Sequence, residues 1–139
     1  MIKNSTITYT ETILENVNHE SGNIVVPEGV TTIGDHAFAG SSIENVQLPW
    51  TLVTIGYCSF SDCVNLTRLE IPKGVKEIGY GAFSGCKNLE YISFPDTLTS
   101  IKGDLFSGCT SLKRIAVPLH LVIQAAMETP KDVVIEVIR

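Results

Sequence analysis

The stretch EIGYGAFSGCKNLEYISFP, residues 77–95, holds three glycines, a cysteine beside a lysine, and a Ser-x-x-Lys spacing from Ser84 to Lys87. Taken alone, it resembles a phosphate-binding loop or a nucleophile site. Sister segments occur as SDCV at residues 61–64 and SGCT at residues 107–110, and neither has the lysine. The Ser-x-x-Lys spacing is therefore a coincidence. The glycines, spaced G-x-G-x-x-x-G, miss the dinucleotide fingerprint and are interpreted as turn residues.

The same pattern, L-x-x-I-x-I-P-x-x-V-x-x-I-G-x-x-A-F-x-x-C-x-x, recurs about every 23 residues through most of the chain. Its clearest columns are Pro27, Pro49, Pro72, Pro95 and Pro118; Phe38, Phe60, Phe83 and Phe106; and Cys63, Cys86 and Cys109, with Ser41 in the first copy. The first interval is 22 residues because one residue is missing between Ser41 and Ile43. Self-similarity at this period predicts a solenoid, in which each coil buries its apolar side against its neighbours.

The I-x-I-P part of each copy alternates apolar and polar residues, which predicts a strand with one buried face. Five such strands are expected, each stopped by a proline that lacks an N–H: residues 24–26, 46–48, 69–71, 92–94 and 115–117. The V-x-x-I-G part predicts a second short extended piece, and A-F-x-x-C a compact helical or 3₁₀ turn. We therefore predict a strand-rich α/β solenoid with coils of about 23 residues, a parallel sheet of about five rungs, and a buried phenylalanine stack.

The chain is expected to form a single domain, residues 1–139, with covered ends. Residues 1–22 alternate in places and predict a hairpin-like N-terminal cap. The repeats occupy residues 23–118. Residues 119–139 predict a C-terminal cap, with helical spacing in LHLVIQAAMETP and a strand in DVVIEVIR.

Charge and hydropathy exclude some partners. The net charge is −5 and the pI about 5.1, which argues against nucleic acid or an anionic membrane as the main partner, because both need a basic surface. No run of about 18 apolar residues predicts membrane insertion. The N-terminus lacks the basic start, apolar stretch and cleavage site of a secretory signal.

The residue types that carry chemistry do not form a recognisable constellation. Cys63, Cys86 and Cys109 lie 23 residues apart rather than at zinc-ligand spacing, and we interpret them as reduced, buried small hydrophobes. A disulfide between stacked neighbours is the alternative. Cys58 lies in another column, where partial exposure is expected, as either a reactive or an idle thiol. We predict no catalytic residue, no cofactor and no metal site.

The exposed positions of the strands are more informative about binding, because their residues differ between the copies while the core positions keep the same residue types. Tryptophan, tyrosine and arginine dominate interface hot spots. The candidate partner-binding residues are Asn45, Gln47, Trp50, Arg68, Glu70, Tyr91, Ser93 and Arg114. The simpler interpretation is that these are ordinary solvated residues, whose ion pairs, such as Arg68 with Glu70, contribute little.

These columns, above all IPKGVKEIGYGAFSGCKNL at residues 71–89, resemble the BspA-like leucine-rich repeats over roughly residues 24–118. The resemblance implies a right-handed leucine-rich solenoid of the kind found in bacterial surface or secreted proteins. It also implies a non-enzymatic adhesion role, in which the strand side grips a protein, such as a host matrix protein, or a glycan. The expected form is a monomer or a weakly self-associating chain. The alternative is a structural spacer, or a fragment of a larger surface protein, with no ligand of its own.

Overall fold

The computed structural model describes residues 8–10, 13–101 and 103–138. The chain winds into a parallel-strand solenoid of about six coils with about 22 residues per coil, which confirms the predicted fold class. One side of the solenoid carries the strands β3 (Ser21–Val25), β5 (Ser42–Gln47), β7 (Arg68–Glu70), β9 (Tyr91–Ser93), β10 (Arg114–Pro118) and β11 (Val134–Ile138). A second sheet consists of β1 (Thr8–Thr10), β2 (Ile13–Glu15), β4 (Thr32–Ile33), β6 (Thr54–Ile55) and β8 (Glu77–Ile78).

The second sheet arises from the V-x-x-I-G part of each repeat and begins with a hairpin. Strands β2, β4, β6 and β8 pair in parallel, so that Leu14, Ile33, Ile55 and Ile78 share one row. β1 pairs antiparallel with β2. The hairpin predicted from the N-terminal alternation is therefore present in this region. Residues 1–7 and 11–12 of the predicted cap lie outside the described residues.

The A-F-x-x-C segments were predicted as helical or 3₁₀ turns, and the structure keeps only the 3₁₀-type hydrogen bond. The amides of Cys63 and Cys109 donate to the carbonyls of Phe60 and Phe106 at 3.2 and 3.0 Å. No helix forms in the described part of these segments. The reason is that residues of positive φ interrupt each turn, as at Cys58 (φ 51°) and Asp62 (φ 57°), and helix geometry does not tolerate them.

The core follows the predicted columns. The rings of Phe38, Phe60, Phe83 and Phe106 stack from coil to coil, with centroids 5.1, 5.9 and 6.4 Å apart, and all four are buried. Phe94, which directly follows β9, packs against the last two rings at 6.5 and 6.1 Å. The predicted phenylalanine stack is therefore confirmed.

The C-terminal region adds a sixth strand beyond the five repeat strands. After a 3₁₀ turn (Leu119–Leu121) and the helix α1 (Val122–Glu128), β11 pairs in parallel with β10 over five residues. Ile135 packs against the core, in register with Ile115. Residues 119–138 therefore contain the helix and the strand that the sequence predicted for this end, arranged as a last coil in which α1 takes the place of the usual turn.

Two kinds of glycine explain why the opening stretch is glycine-rich. Gly81 and Gly85 adopt positive φ, 65° and 77°, which is a conformation that favours glycine. Gly79 instead lies against the preceding coil, where a Cβ atom would be 2.6 Å from the amide nitrogen of Tyr57. The glycines are turn and close-approach residues, as the repeat indicated.

Candidate binding face

The strand face is defined here as the outward side of β3, β5, β7, β9, β10 and β11. Its side chains form rows, because the strands pair in register: Arg68 aligns with Tyr91, which aligns with Arg114. Glu70 aligns with Ser93 in the next row. Arg68, Tyr91 and Arg114 therefore form one row, and Glu70 and Ser93 form part of the next.

The centre of the strand face is an Arg–Tyr–Arg stack. The guanidinium carbons of Arg68 and Arg114 lie 4.4 and 4.2 Å from the centroid of the Tyr91 ring. Because the two arginines come from the strands on either side of β9, they cover opposite faces of the ring. Cation–π contacts of this kind contribute about 0.5–1 kcal/mol each at exposed sites. These contacts favour one arrangement of the three side chains on the surface.

Both arginines also pair with carboxylates. Arg68 Nη2 donates to Glu70 Oε2 at 3.1 Å, and Arg114 Nη1 donates to the two carboxylate oxygens of Glu136 at 3.1 and 2.9 Å. These residues are partly or fully exposed, so each pair contributes at most about 1 kcal/mol. Glu136 escaped the sequence analysis, because β11 was assigned to a cap and not to the strand face.

A groove divides the strand face. The strands form a pair, β3–β5, and a four-stranded sheet, β7–β9–β10–β11, with no ladder between β5 and β7. The gap is an open groove of about 440 Å³. Four apolar residues of the same strands and turns line it, together with five predicted residues: Asn45, Gln47, Arg68, Glu70 and Ser93. The structure thus brings together more than half of the predicted residues around one concavity.

Trp50 lies apart from the Arg–Tyr–Arg stack. It is 71% exposed and lines a neighbouring groove of about 610 Å³ with Pro27, Pro49 and Pro72. Gln47 lines both grooves and connects Trp50 to the rest of the candidate set. The predicted residues therefore form a continuous surface with the tryptophan at one end.

The cysteine column is a structural ladder. Cys63, Cys86 and Cys109 are buried, and each thiol donates to the carbonyl of the phenylalanine one coil earlier, at 3.2, 3.0 and 3.1 Å. Burial raises the pKa of the Cys109 thiol to about 11. The neighbouring Cys63 thiol and burial both raise the pKa of Cys86. The four cysteines are free thiols, and Cys58 is half-buried, as its separate column indicated.

The first coil places a carboxylate in this column. Ser42 N donates to Glu20 O, so Glu20 stands beside Ser41 at the position that the cysteines hold later. Glu20 is 2% exposed. Its Oε2 lies 3.2 Å from His19 Nε2, which is ion-pair distance, but neither carboxylate oxygen accepts a hydrogen bond. The sequence analysis missed this residue, because it lies in the region assigned to the cap.

Among the described residues, no cluster of three or more histidine, cysteine or acidic side chains is arranged to hold a metal ion. No helix in the described part of the chain has the length and apolar character needed to cross a membrane.

Comparison with known proteins identifies the family. The model of the BspA type leucine rich repeat region matches residues 9–126 with six copies, so the chain belongs to this family. The match begins well before residue 23, which agrees with a first coil that includes Leu14 and Glu20. No curated protein sequence matches the chain significantly.

Several solved bacterial structures are similar. A leucine-rich repeat protein from Bacteroides ovatus is 32% identical, with a TM-score of 0.54 and 76% of this chain covered. A leucine rich cell surface protein from Faecalibacterium prausnitzii is 26% identical, with a TM-score of 0.59 over 76% of this chain. A leucine-rich repeat protein from Eubacterium ventriosum, at 24% identity and a TM-score of 0.72 over 78% of this chain, shares the fold. The chain spans 34%, 35% and 30% of these proteins.

Proposed function

We propose that the chain is a non-enzymatic binding module that holds a partner protein or a glycan on the strand face. The observation that carries this proposal is the stack of Arg68, Tyr91 and Arg114. These are residue types that dominate interface hot spots. The contacts within the stack restrict the arginine side chains, so binding would lose less conformational entropy than it would with free arginines.

The family supports the proposal. Leucine-rich repeat proteins are typical protein-interaction modules. The similar protein from Faecalibacterium prausnitzii is described as a cell surface protein. A partner found outside a bacterium, such as a host matrix protein, fits this setting, and adhesion is the role that we propose.

A binding screen tests the proposal. The immobilised chain is exposed to matrix proteins, mucins and glycans, beside the double variant Trp50→Ala/Arg68→Ala. The matched control is Lys76→Ala/Tyr80→Ala, which also removes one cation and one exposed aromatic ring, but outside the strand face. Two hot-spot truncations should weaken binding at least about 100-fold, while the control should bind like the parent.

The thermal midpoint of both variants should stay near that of the parent, since the substituted side chains are exposed. Equal binding by the parent and the strand-face variant would refute the proposal. Loss of binding in the control alone would place the interface elsewhere on the solenoid.

A structural role is the second candidate, and one observation favours it. β11 is an edge strand whose outer side has no partner among the described residues, and Val134, Val137 and Ile138 are exposed there. Unprotected edge strands promote pairing between chains. Sedimentation velocity should then show self-association that rises with concentration and is weakened by Val134→Lys. A strict monomer at high concentration would exclude this role.

A further inference from the structure

Trp50 is held on the surface with its ring uncovered. It is the only tryptophan of the chain, and it is 71% exposed. In the described part of the chain, no aromatic ring or cation stacks on the indole, since both cation–π contacts there involve Tyr91. Exposure of a large apolar ring gives up the free energy that its burial would contribute. A ring in this position is therefore available to a ligand.

The backbone beneath the ring is braced. The turn that carries the tryptophan is closed by the hydrogen bond from Leu52 N to Pro49 O, at 3.1 Å. The next residue, Thr51, accepts a hydrogen bond from Gly29 N at 3.1 Å and donates one to Val30 O at 2.7 Å. These bonds tie the turn to the turn of the preceding coil. A ligand would thus meet a backbone that is already ordered, which lowers the entropic cost of binding.

The groove beside Trp50 combines apolar walls with unengaged polar side chains. Its volume is about 610 Å³, within the range of about 300–1,000 Å³ for small-molecule sites. Three prolines from successive turns line it: Pro27, Pro49 and Pro72. Gln47 and Glu28 also line it and are exposed, and neither side chain forms a hydrogen bond or an ion pair with the described residues. The groove therefore offers an open aromatic face and free hydrogen-bonding groups together.

This combination matches the surface of a carbohydrate. A pyranose ring has a patch of C–H groups on one face, which packs against an indole, and hydroxyl groups around its rim. The amide of Gln47 can both donate to and accept from such hydroxyls, and the carboxylate of Glu28 accepts from them. A flat aromatic ring beside planar polar side chains thus complements both kinds of surface that a sugar presents.

The charge of the groove favours an uncharged glycan. Glu28 is the one charged residue in the described lining of the groove, and it has no ion-pair partner among the described residues. An acidic sugar would bring a second carboxylate close to it, and like charges repel. The net charge of the chain, −5, acts in the same direction.

A proline-rich peptide is the less suitable occupant. Such peptides dock in grooves lined by aromatic side chains, and Trp50 is the one aromatic residue in the described lining of this groove. A proline ring also offers no hydroxyl group to Gln47 or Glu28.

We infer that the groove beside Trp50 binds a neutral glycan, with a pyranose ring on the indole and its hydroxyls hydrogen-bonded to Gln47 and Glu28. This inference rests on the proposed function, and it names the class of ligand and the part of the predicted surface that holds it. The ring of Tyr91 cannot serve in the same way, because guanidinium groups cover both of its faces.

The single tryptophan makes the site directly observable. The full chain is screened on an array of neutral and acidic glycans, and a retained neutral oligosaccharide is titrated while the emission of Trp50 is recorded. Binding should move the emission maximum to shorter wavelength and weaken quenching by acrylamide, because the sugar displaces water from the ring. A bound glycan that changes neither the emission nor the quenching would overturn the inference.

Three protein variants complete the design, with affinity measured by isothermal titration calorimetry. Trp50→Ala should weaken binding of the oligosaccharide at least about tenfold. Trp50→Phe keeps an aromatic face and should retain more of the affinity. Lys73→Ala is the matched control, because it holds the same position in the next turn but lies outside the groove lining, and it should bind like the parent. Equal affinity of Trp50→Ala and Lys73→Ala would overturn the inference.

The remaining outcomes separate the inference from the proposed function. A preference for acidic glycans, or binding of a proline-rich peptide but of no glycan, would overturn the inference. A protein partner that is lost in Trp50→Ala/Arg68→Ala, with no glycan bound, would also overturn it, while the strand-face proposal would stand. If neither the array nor the matrix screen gives a ligand that depends on these residues, both proposals fail.

Discussion

Replacing Phe83 by alanine tests the packing of the solenoid. The ring contacts Phe60, Phe94 and Phe106, at centroid distances of 5.9, 6.5 and 6.4 Å, and it is fully buried. Because it lies in the middle of the stack, both neighbouring coils lose a packing partner when it is truncated.

The expected cost follows from these contacts. Burying a phenylalanine side chain contributes about 1.5–3 kcal/mol, and each aromatic pair adds about 0.5–1.5 kcal/mol. The coils on either side cannot collapse fully into the space, so a cavity cost is added. These contributions overlap and do not simply add, and a core Phe→Ala substitution costs about 3–5 kcal/mol in all, which is the loss in the free energy of unfolding that we expect. For a chain of this size, the thermal midpoint should fall by roughly 10–15 °C.

Urea unfolding followed by circular dichroism measures the loss, with Tyr80→Ala as the matched control. Tyr80 lies in the same coil and stacks on Tyr57 at 6.0 Å, but it is exposed. The control should lose less than about 1 kcal/mol. A loss for Phe83→Ala no greater than that of the control would show that the stack does not stabilise the fold.

Three further predictions concern single positions. In the folded protein, a thiol-alkylating reagent at pH 8 should modify Cys58 quickly, whereas the buried thiols, such as Cys109, should react only on unfolding. Mass spectrometry measures the two rates, and equal rates would contradict the buried cysteine ladder. Glu20→Cys should raise the free energy of unfolding by about 1–2 kcal/mol, because the cost of burying a carboxylate without hydrogen bonds exceeds the contribution of its ion pair with the half-exposed His19; a loss of stability would refute this. Gly56→Ala should lower the free energy of unfolding by about 1–3 kcal/mol, since the new Cβ would lie 2.7 Å from the carbonyl oxygen of Ile33. Gly40→Ala is the control: the space around its Cβ is open, so its loss of stability reports the cost of positive φ alone.

The repeat made much of the fold predictable. Columns such as Phe38 to Phe106 and Cys63 to Cys109 fix which side of each coil is buried, because every coil repeats the same packing problem. Alignment of the repeat copies also predicted the two strand-forming parts of each coil and the rows of exposed side chains. Alternation within each strand, together with the alignment of the copies, was enough to place Arg68, Tyr91 and Arg114 on one surface.

Other features depend on geometry that the repeat does not encode. The sixth strand, Val134–Ile138, has lost the proline and phenylalanine columns, so its membership of the sheet comes from pairing with β10. The missing residue after Ser41 was visible, but the absence of a ladder between β5 and β7 did not follow from it. Glu136 and Glu20 have their roles only because neighbouring coils place Arg114 and Ser41 beside them.

The most direct test of the account is a map of the bound surface. Amide chemical shifts of the ¹⁵N-labelled chain would be recorded with and without a partner retained by the binding screen. The account predicts that the perturbed amides cluster on the strand face, at residues 45–48, 68–71 and 91–93, with smaller changes elsewhere. Perturbations that cluster instead on the turns, such as residues 36–41 and 58–63, would contradict the claim that the strand face is the binding surface.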